Sequence, residues 1–153
     1  MYDQLLQDVA AYRRENGRDL QPPATDAALA DLRRRARSEL RYAIPAEYEA
    51  FLRKADGLDN NGVSLYGSSR QLMVGTTNRF VSGLVEANLL WRKGGAYEDQ
   101  VIFANDSLTN YVWHLDDEAW ELRSSPSDDL LEKVASFEEL VFRALDAHKP
   151  SRG

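Results

Sequence analysis

The 153-residue chain is predicted to fold as α+β: N-terminal helices packed on an antiparallel-rich mixed sheet of about five strands, closed by a C-terminal helix. Three observations predict this. Apolar residues recur at helical spacing through residues 2–55, alternating apolar stretches separated by turn residues occupy 63–74 and 101–123, and a capped amphipathic stretch follows from 136. The order (helices, two strands, a helix, three strands, a helix) is not the strict alternation of a doubly wound parallel sheet. The length suits one domain over 1–153, with a first helix and connector at 1–24 and a tail at 148–153.

Leu5, Leu6, Val9 and Tyr12 form the first helical face, and Asn16-Gly17 stops it. Gln21-Pro22-Pro23 is a stiff connector. Thr25 or Asp26 then offers an oxygen to the free N–H groups of a second helix, whose apolar stripe is Leu29, Leu32, Ala36 and Leu40. Arg33, Arg34, Arg35 and Arg37 lie off that stripe, flanked by Asp31 and Glu39, and read as a solvated face. Pro45 opens a third helix, because its missing N–H would be unpaired there anyway. Ile44 and Tyr48 are placed as a hydrophobic staple, and Tyr48, Phe51, Leu52 and Ala55 fill one face. Gly57 is placed to end this helix in a left-handed cap.

Asp59-Asn60-Asn61-Gly62 is a turn cluster. Residues 63–66 and 71–74 read as two short strands joined through Gly67-Ser68-Ser69 as a hairpin. Phe80, Leu84, Ala87 and Trp91 fit a helix over 77–91, capped by Thr76 or Thr77 and stopped at Gly94-Gly95. Gly83 in its interior costs about 1 kcal/mol against Ala. Residues 101–104 are a continuous apolar strand. In 111–115, Tyr111, Trp113 and Leu115 take one side and Val112 and His114 the other; in 119–123, Trp120 and Leu122 fall together. Asp116-Asp117-Glu118 is the turn that makes these two an antiparallel hairpin, and Leu130 and Leu131 stand isolated after it. Ser136 and Glu139 form a capping box for a last helix with Phe137, Leu140, Val141, Ala144 and Leu145 inward. His148-Lys149 suit the negative pole of that helix, and residues 150–153 are expected to fray.

Composition removes whole classes of function. Without cysteine there is no disulfide framework, thiolate metal site or cysteine nucleophile. No apolar run approaches the ~20 residues that span a bilayer, and residues 1–16 lack a basic-then-apolar leader, so a cytoplasmic protein meeting no membrane is expected. A net charge of −6 argues against direct nucleic-acid binding. The charge is uneven: residues 1–55 sum to +1 and 56–153 to −7. Residues 98–139 carry twelve Asp/Glu against Arg123 and Lys133, a field that favours encounter with a basic partner.

The catalytic inventory is thin. His114 and His148 are 34 residues apart without metal-ligand spacing, and His114 reads as a structural side chain on a sheet face. Three adjacent carboxylates, Asp116, Asp117 and Glu118, cannot all face one ion on a tight turn. No nucleophile elbow, P-loop or dinucleotide fingerprint occurs. Neither an enzyme nor a metal or cofactor is expected; a hydrolase acting through a carboxylate pair stays as an alternative, since any acidic chain supplies two carboxylates.

Five segments in order resemble the SUKH superfamily, named partly for the Smi/Knr-type yeast cell-wall regulators. Ile44-Pro45-Ala46-Glu47-Tyr48-Glu49-Ala50-Phe51-Leu52 followed by Asp56-Gly57-Leu58 is similar to its "lP-x-x-(Y/F)-x-x-f-l" helix and following glycine, with Asp56 where Asn is commoner. Val63-Ser64-Leu65-Tyr66-Gly67 resembles its first strand and "lyG" turn. Val101-Ile102-Phe103-Ala104 and Tyr111-Val112-Trp113-His114-Leu115-Asp116 resemble its later strand pair, and Ala135-Ser136-Phe137-Glu138-Glu139-Leu140 its closing helix. Glu86-Ala87-Asn88-Leu89-Leu90-Trp91 is reminiscent of the YrhA-like branch. The resemblance covers about residues 25–147.

The resemblance implies a protein-binding module without catalytic residues: an immunity protein that neutralises a cognate bacterial toxin domain, many of which are nucleases, or else a regulatory adaptor with an endogenous partner. A basic nuclease groove gives the acidic stretch a use. The expected contact residues are exposed groups at the sheet's rim: Asp56, Asp59, Asn60, Asn61, Tyr66, Asp106, Asp116, Asp117 and Glu118, with Tyr66 or Trp120 as an anchor.

Overall fold

In the computed structural model, which describes residues 1–149, the N-terminal stripes become three helices. α1 (Asp3–Glu15) turns Leu6 and Val9 inward. α2 (Asp26–Arg35) is capped by Thr25, whose Oγ1 accepts from the Ala28 N–H at 3.1 Å. Its end widens into a π-helical segment, Ala36–Leu40, which keeps Leu29, Leu32, Ala36 and Leu40 all buried. The arginines off this stripe pair with carboxylates: Arg33 with Glu49, Arg34 with Asp31, and Arg35 with Glu86 and Glu39. α3 (Ala46–Leu52) begins one residue after Pro45, which is the cap and not the first helical residue.

After these helices come β1 (Leu58–Asn60), β2 (Val63–Leu65), β3 (Gln71–Leu72), β4 (Phe80–Val81), α4 (Leu84–Trp91), β5 (Gln100–Asn105), β6 (Thr109–His114), β7 (Ala119–Ser124), β8 (Leu130–Val134) and α5 (Phe137–Ala147). Six strands form one sheet in the order β1-β2-β5-β6-β7-β8, and β3 with β4 forms a separate pair. Every pairing in the large sheet is antiparallel; the parallel feature is one bridge between Gly67 and Gly83. The expected hairpin through Asp116-Asp117-Glu118 forms, with His114 opposite Ala119 and Val112 opposite Glu121.

Several expectations are corrected. The turn cluster contains β1: only Asn61-Gly62 turn the chain, both at positive φ (53° and 92°), as a two-residue hairpin requires. Residues 63–66 and 71–74 do not pair, because β2 sits between β1 and β5 while β3 pairs with β4. The helix over 77–91 is only Leu84–Trp91, and Gly83 is its cap, outside the helix. Leu130 and Leu131 belong to β8, an edge strand with exposed side chains that gives no alternating signal. The capping box of α5 forms with one change: Ser136 Oγ accepts from the Glu139 N–H, and Glu139 Oε2 accepts from the Ala135 N–H. The expected fraying of 150–153 lies outside the described residues.

Gly57 does not end α3, which stops at Leu52. It serves a backbone crossing instead. A Cβ on Gly57 would sit 2.9 Å from Gly67 Cα and 2.5 Å from Val81 Cγ1, and a Cβ on Gly67 would sit 2.7 Å from the Asp56 carbonyl oxygen. Only glycine fits such an approach, and Gly57 also holds φ at 86°. Asp56 locks the crossing: its two carboxylate oxygens accept from the Ser68 N–H and Ser68 Oγ–H, each at 2.7 Å. The Tyr48 hydroxyl donates to the Tyr66 carbonyl at 2.7 Å. The Asp-Gly and Tyr-Gly segments are thus the two sides of one junction.

The sheet has two unlike faces. On one, Trp113 and Trp120 (centroids 4.8 Å apart), Tyr111, Leu122 and Phe103 meet Tyr48 of α3 and Phe137 of α5. On the other, β5, β6 and β7 place Gln100, Asn110, His114 and Glu121 around Ile102 and Val112, and all six are buried. α4 covers the open N-terminal half of β5. The Asn88 side chain accepts from the Ile102 N–H and donates to the Ile102 carbonyl, both at 2.8 Å, as a neighbouring strand would. No helix among the described residues is long and apolar enough to cross a membrane.

Candidate functional site

The nine residues expected at one exposed rim fall in three places. Asp56 and Tyr66 are buried in the backbone crossing, so neither can be an exposed contact or anchor. The Tyr66 hydroxyl donates to Asn105 Oδ1 at 2.6 Å and accepts from Trp91 Nε1–H at 2.9 Å, which fixes it inside. Trp120 is half-buried in the aromatic layer.

Asp59, Asn60, Asn61 and Asp106 lie at one end of the sheet, where the β1–β2 turn meets the end of α5. Asn60 is buried and accepts from the Arg13 guanidinium, which also donates to the Asp59 carbonyl, both at 3.2 Å. Asn61 Nδ2 donates to the His148 carbonyl at 2.8 Å, and His148 Nδ1 lies 3.0 Å from the Asn61 carbonyl. Asp106 Oδ2 is 2.7 Å from His148 Nε2 and accepts from the Tyr111 hydroxyl; its Oδ1 accepts from the Leu108 and Thr109 N–H groups. Burial raises the Asp106 carboxyl, but His148, the two N–H groups and Tyr111 outweigh it and hold it below its ordinary 3.8. This end is a latch between hairpin and helix.

Asp116, Asp117 and Glu118 lie at the opposite end, one β6 length or about 20 Å away. All three are exposed. The Leu115 N–H donates to the Asp99 carbonyl at 2.8 Å, which brings Glu98 and Asp99 beside this turn. Glu98, Asp116 and Glu118 form no ion pair with a lysine or arginine among the described residues, while Asp99 and Asp117 flank His114. The −10 stretch read in sequence therefore divides. Asp106 contacts His148, Glu121 and Asp128 share Arg123, and Glu132 pairs with Arg143, whereas Asp116 and Glu118 at this rim have no ion-pair partner among the described residues.

Beneath the rim runs the polar sheet face. His114 Nε2 is 3.2 Å from Asp99 Oδ2, and its Nδ1 accepts from the Asp117 N–H at 3.2 Å. Arg123 donates to Glu121 Oε1 at 2.6 Å and to Asp128 Oδ1 at 2.9 Å; Gln100 Nε2 donates to Asp128 and Asp99. Burial pulls the Arg123 guanidinium down, but Glu121 and Asp128 outweigh it and hold it above its ordinary value. Burial raises the Asp99 carboxyl, yet Gln100 and His114 bring it below its ordinary value. Gln100 Oε1, both amide atoms of Asn110 and Glu121 Oε2 are buried without a hydrogen-bond partner on this face.

Asn110, Gln100, Glu121, Arg123 and Asp128 were not singled out by the sequence. The available signal was register: a three- to four-residue turn at 115–118 sets His114 opposite Ala119, so Glu121, two residues on, falls on the histidine's face. Compared with protein-family models and with curated proteins, the chain matches none.

Proposed function

We propose that the chain is a cytoplasmic protein-binding module of the SUKH type, an immunity protein that neutralises a cognate toxin domain by direct contact. The observation that supports this reading is the rim of Glu98, Asp99, Asp116, Asp117 and Glu118: five carboxylates at one end of the sheet, with Arg92 near Glu98 and Asp99, and with Asp116 and Glu118 exposed and free of any ion pair among the described residues. A predominantly acidic cluster on a well-packed scaffold draws an oppositely charged protein and helps to fix its orientation. A nuclease groove built to grip phosphate has that charge. The ordered motifs from the third helix to the capping box of α5 supply the resemblance on which the immunity role rests.

Co-expression with the toxin domain encoded beside this chain, followed by co-purification at moderate salt, tests the proposal. A stoichiometric complex that Asp116→Lys with Glu118→Lys releases supports it. Failure to form a complex with any neighbouring toxin domain overturns the immunity role.

A further inference from the structure

We propose that His114, Asp117 and Glu121 form a binding site for one divalent transition-metal ion of the zinc class. One nitrogen or carboxylate oxygen from each lies within 4.8 Å of the others. The three come from β6, its turn and β7, brought together by hairpin register.

Each group has an oxygen or nitrogen that could turn to the ion, the histidine by exchanging one hydrogen bond for it. His114 Nε2 lies against the Asp99 carboxylate at 3.2 Å, which sets the proton on that nitrogen. Nδ1 then carries the ring's lone pair, which accepts from the Asp117 N–H at 3.2 Å and would be given up to the ion, and it lies 3.6 Å from Asp117 Oδ2. A carboxylate behind a ligating histidine is the usual support of such a site. Glu121 supplies the second observation. It is fully buried, Arg123 occupies Oε1, and Oε2 has no partner at all. A buried carboxylate oxygen without a donor costs free energy that an ion would recover.

Charge and geometry agree. Glu121, Asp117, Asp99 and Asp128 set four carboxylates against one guanidinium, Arg123, in this network. Tetrahedral bonds of roughly 2.0–2.1 Å place ligand atoms about 3.3 Å apart, so the trio must close slightly. His114 Nδ1 and Asp117 Oδ2 are already 3.6 Å apart, so the closing is mainly between this pair and Glu121. One imidazole and two carboxylates suit zinc, with a fourth position left for water. Magnesium and calcium prefer six or more oxygens and are not matched.

The test is calorimetric titration of chelator-treated, untagged full-length protein with Zn²⁺, with Co²⁺ absorption reporting coordination. One ion per chain is expected, with a four-coordinate Co²⁺ spectrum that excess Mg²⁺ leaves intact. Asp117→Asn, on an exposed turn, keeps the fold and should weaken binding at least about tenfold, as should His114→Gln; Asp99→Asn should weaken it by about tenfold through the histidine. His148→Gln should leave binding unchanged. Absence of saturable binding, binding indifferent to Asp117→Asn and His114→Gln, or binding lost with His148→Gln would overturn the site. None of these readouts involves a protein partner, so this site and the immunity role stand or fall separately.

Discussion

The two faces of the β5–β6–β7 sheet are built by alternate residues of the same strands, and they solve burial in opposite ways. One face joins Phe103, Trp113 and Trp120 to Tyr48 and Phe137, with ring centroids 4.8–5.6 Å apart in edge-on or tilted pairs. Such contacts need only shape and area, and each pair adds about 0.5–1.5 kcal/mol beyond burial. The other face holds Gln100, Asn110, His114 and Glu121, whose worth depends on direction, and it leaves four buried polar atoms unpartnered. A sheet that only needed stability would carry valine or isoleucine there. Departures from local consistency concentrate where a fold does something else. The aromatic face is the scaffold; the polar face and the rim above it are where the proposed ion and partner would bind.

Breaking the scaffold should have the largest effect. Phe137→Ala removes the ring that touches Tyr48, Phe51, Phe103 and Trp120, and is expected to cost about 3–5 kcal/mol in urea denaturation. Gly57→Ala comes next, at about 3 kcal/mol, because its methyl group would meet Val81 and Gly67 while φ stays positive. Those two glycines let the strands come close enough to place Asp56 on Ser68, and a variant that folds normally would refute that role. On the polar face, Glu121→Gln keeps volume but loses the charged acceptor of Arg123, and should cost only about 1–2 kcal/mol.

The latch at the far end gives a smaller, pH-dependent effect. Because the folded state holds the Asp106 carboxyl below 3.8, its stabilising contribution is full above that unfolded value and disappears as pH falls through the folded value. The stability gap between the parent protein and Asp106→Asn should therefore close as pH falls below about 4. A gap that widens in acid would contradict the assignment.

The scaffold was largely legible in the sequence. The stripe Leu29, Leu32, Ala36, Leu40 and the α5 face of Phe137, Leu140, Val141, Ala144 and Leu145 are buried as their spacing predicts, and Trp113 pairs with Trp120 across the predicted hairpin. What was hidden depended on long-range partners. β8 has no alternation because its side chains face solvent, and β1 is three residues of turn-like composition. Asp56, Asn60 and Tyr66 look like surface residues by type; Ser68, Arg13, and Asn105 with Trp91 draw them inside. The turn at Asp116-Asp117-Glu118 is legible in the sequence, but its link to Glu121 needs a register that residue types alone do not announce.

The claim that the acidic rim is the contact surface is tested most directly by the affinity of the co-purified partner for the parent protein and for Asp116→Lys with Glu118→Lys, measured near physiological salt. Both side chains are exposed, so the melting temperature should not move. Binding at least about tenfold weaker, or about 1.4 kcal/mol, is expected, with the loss largest at low salt. Unchanged affinity at unchanged stability would contradict it.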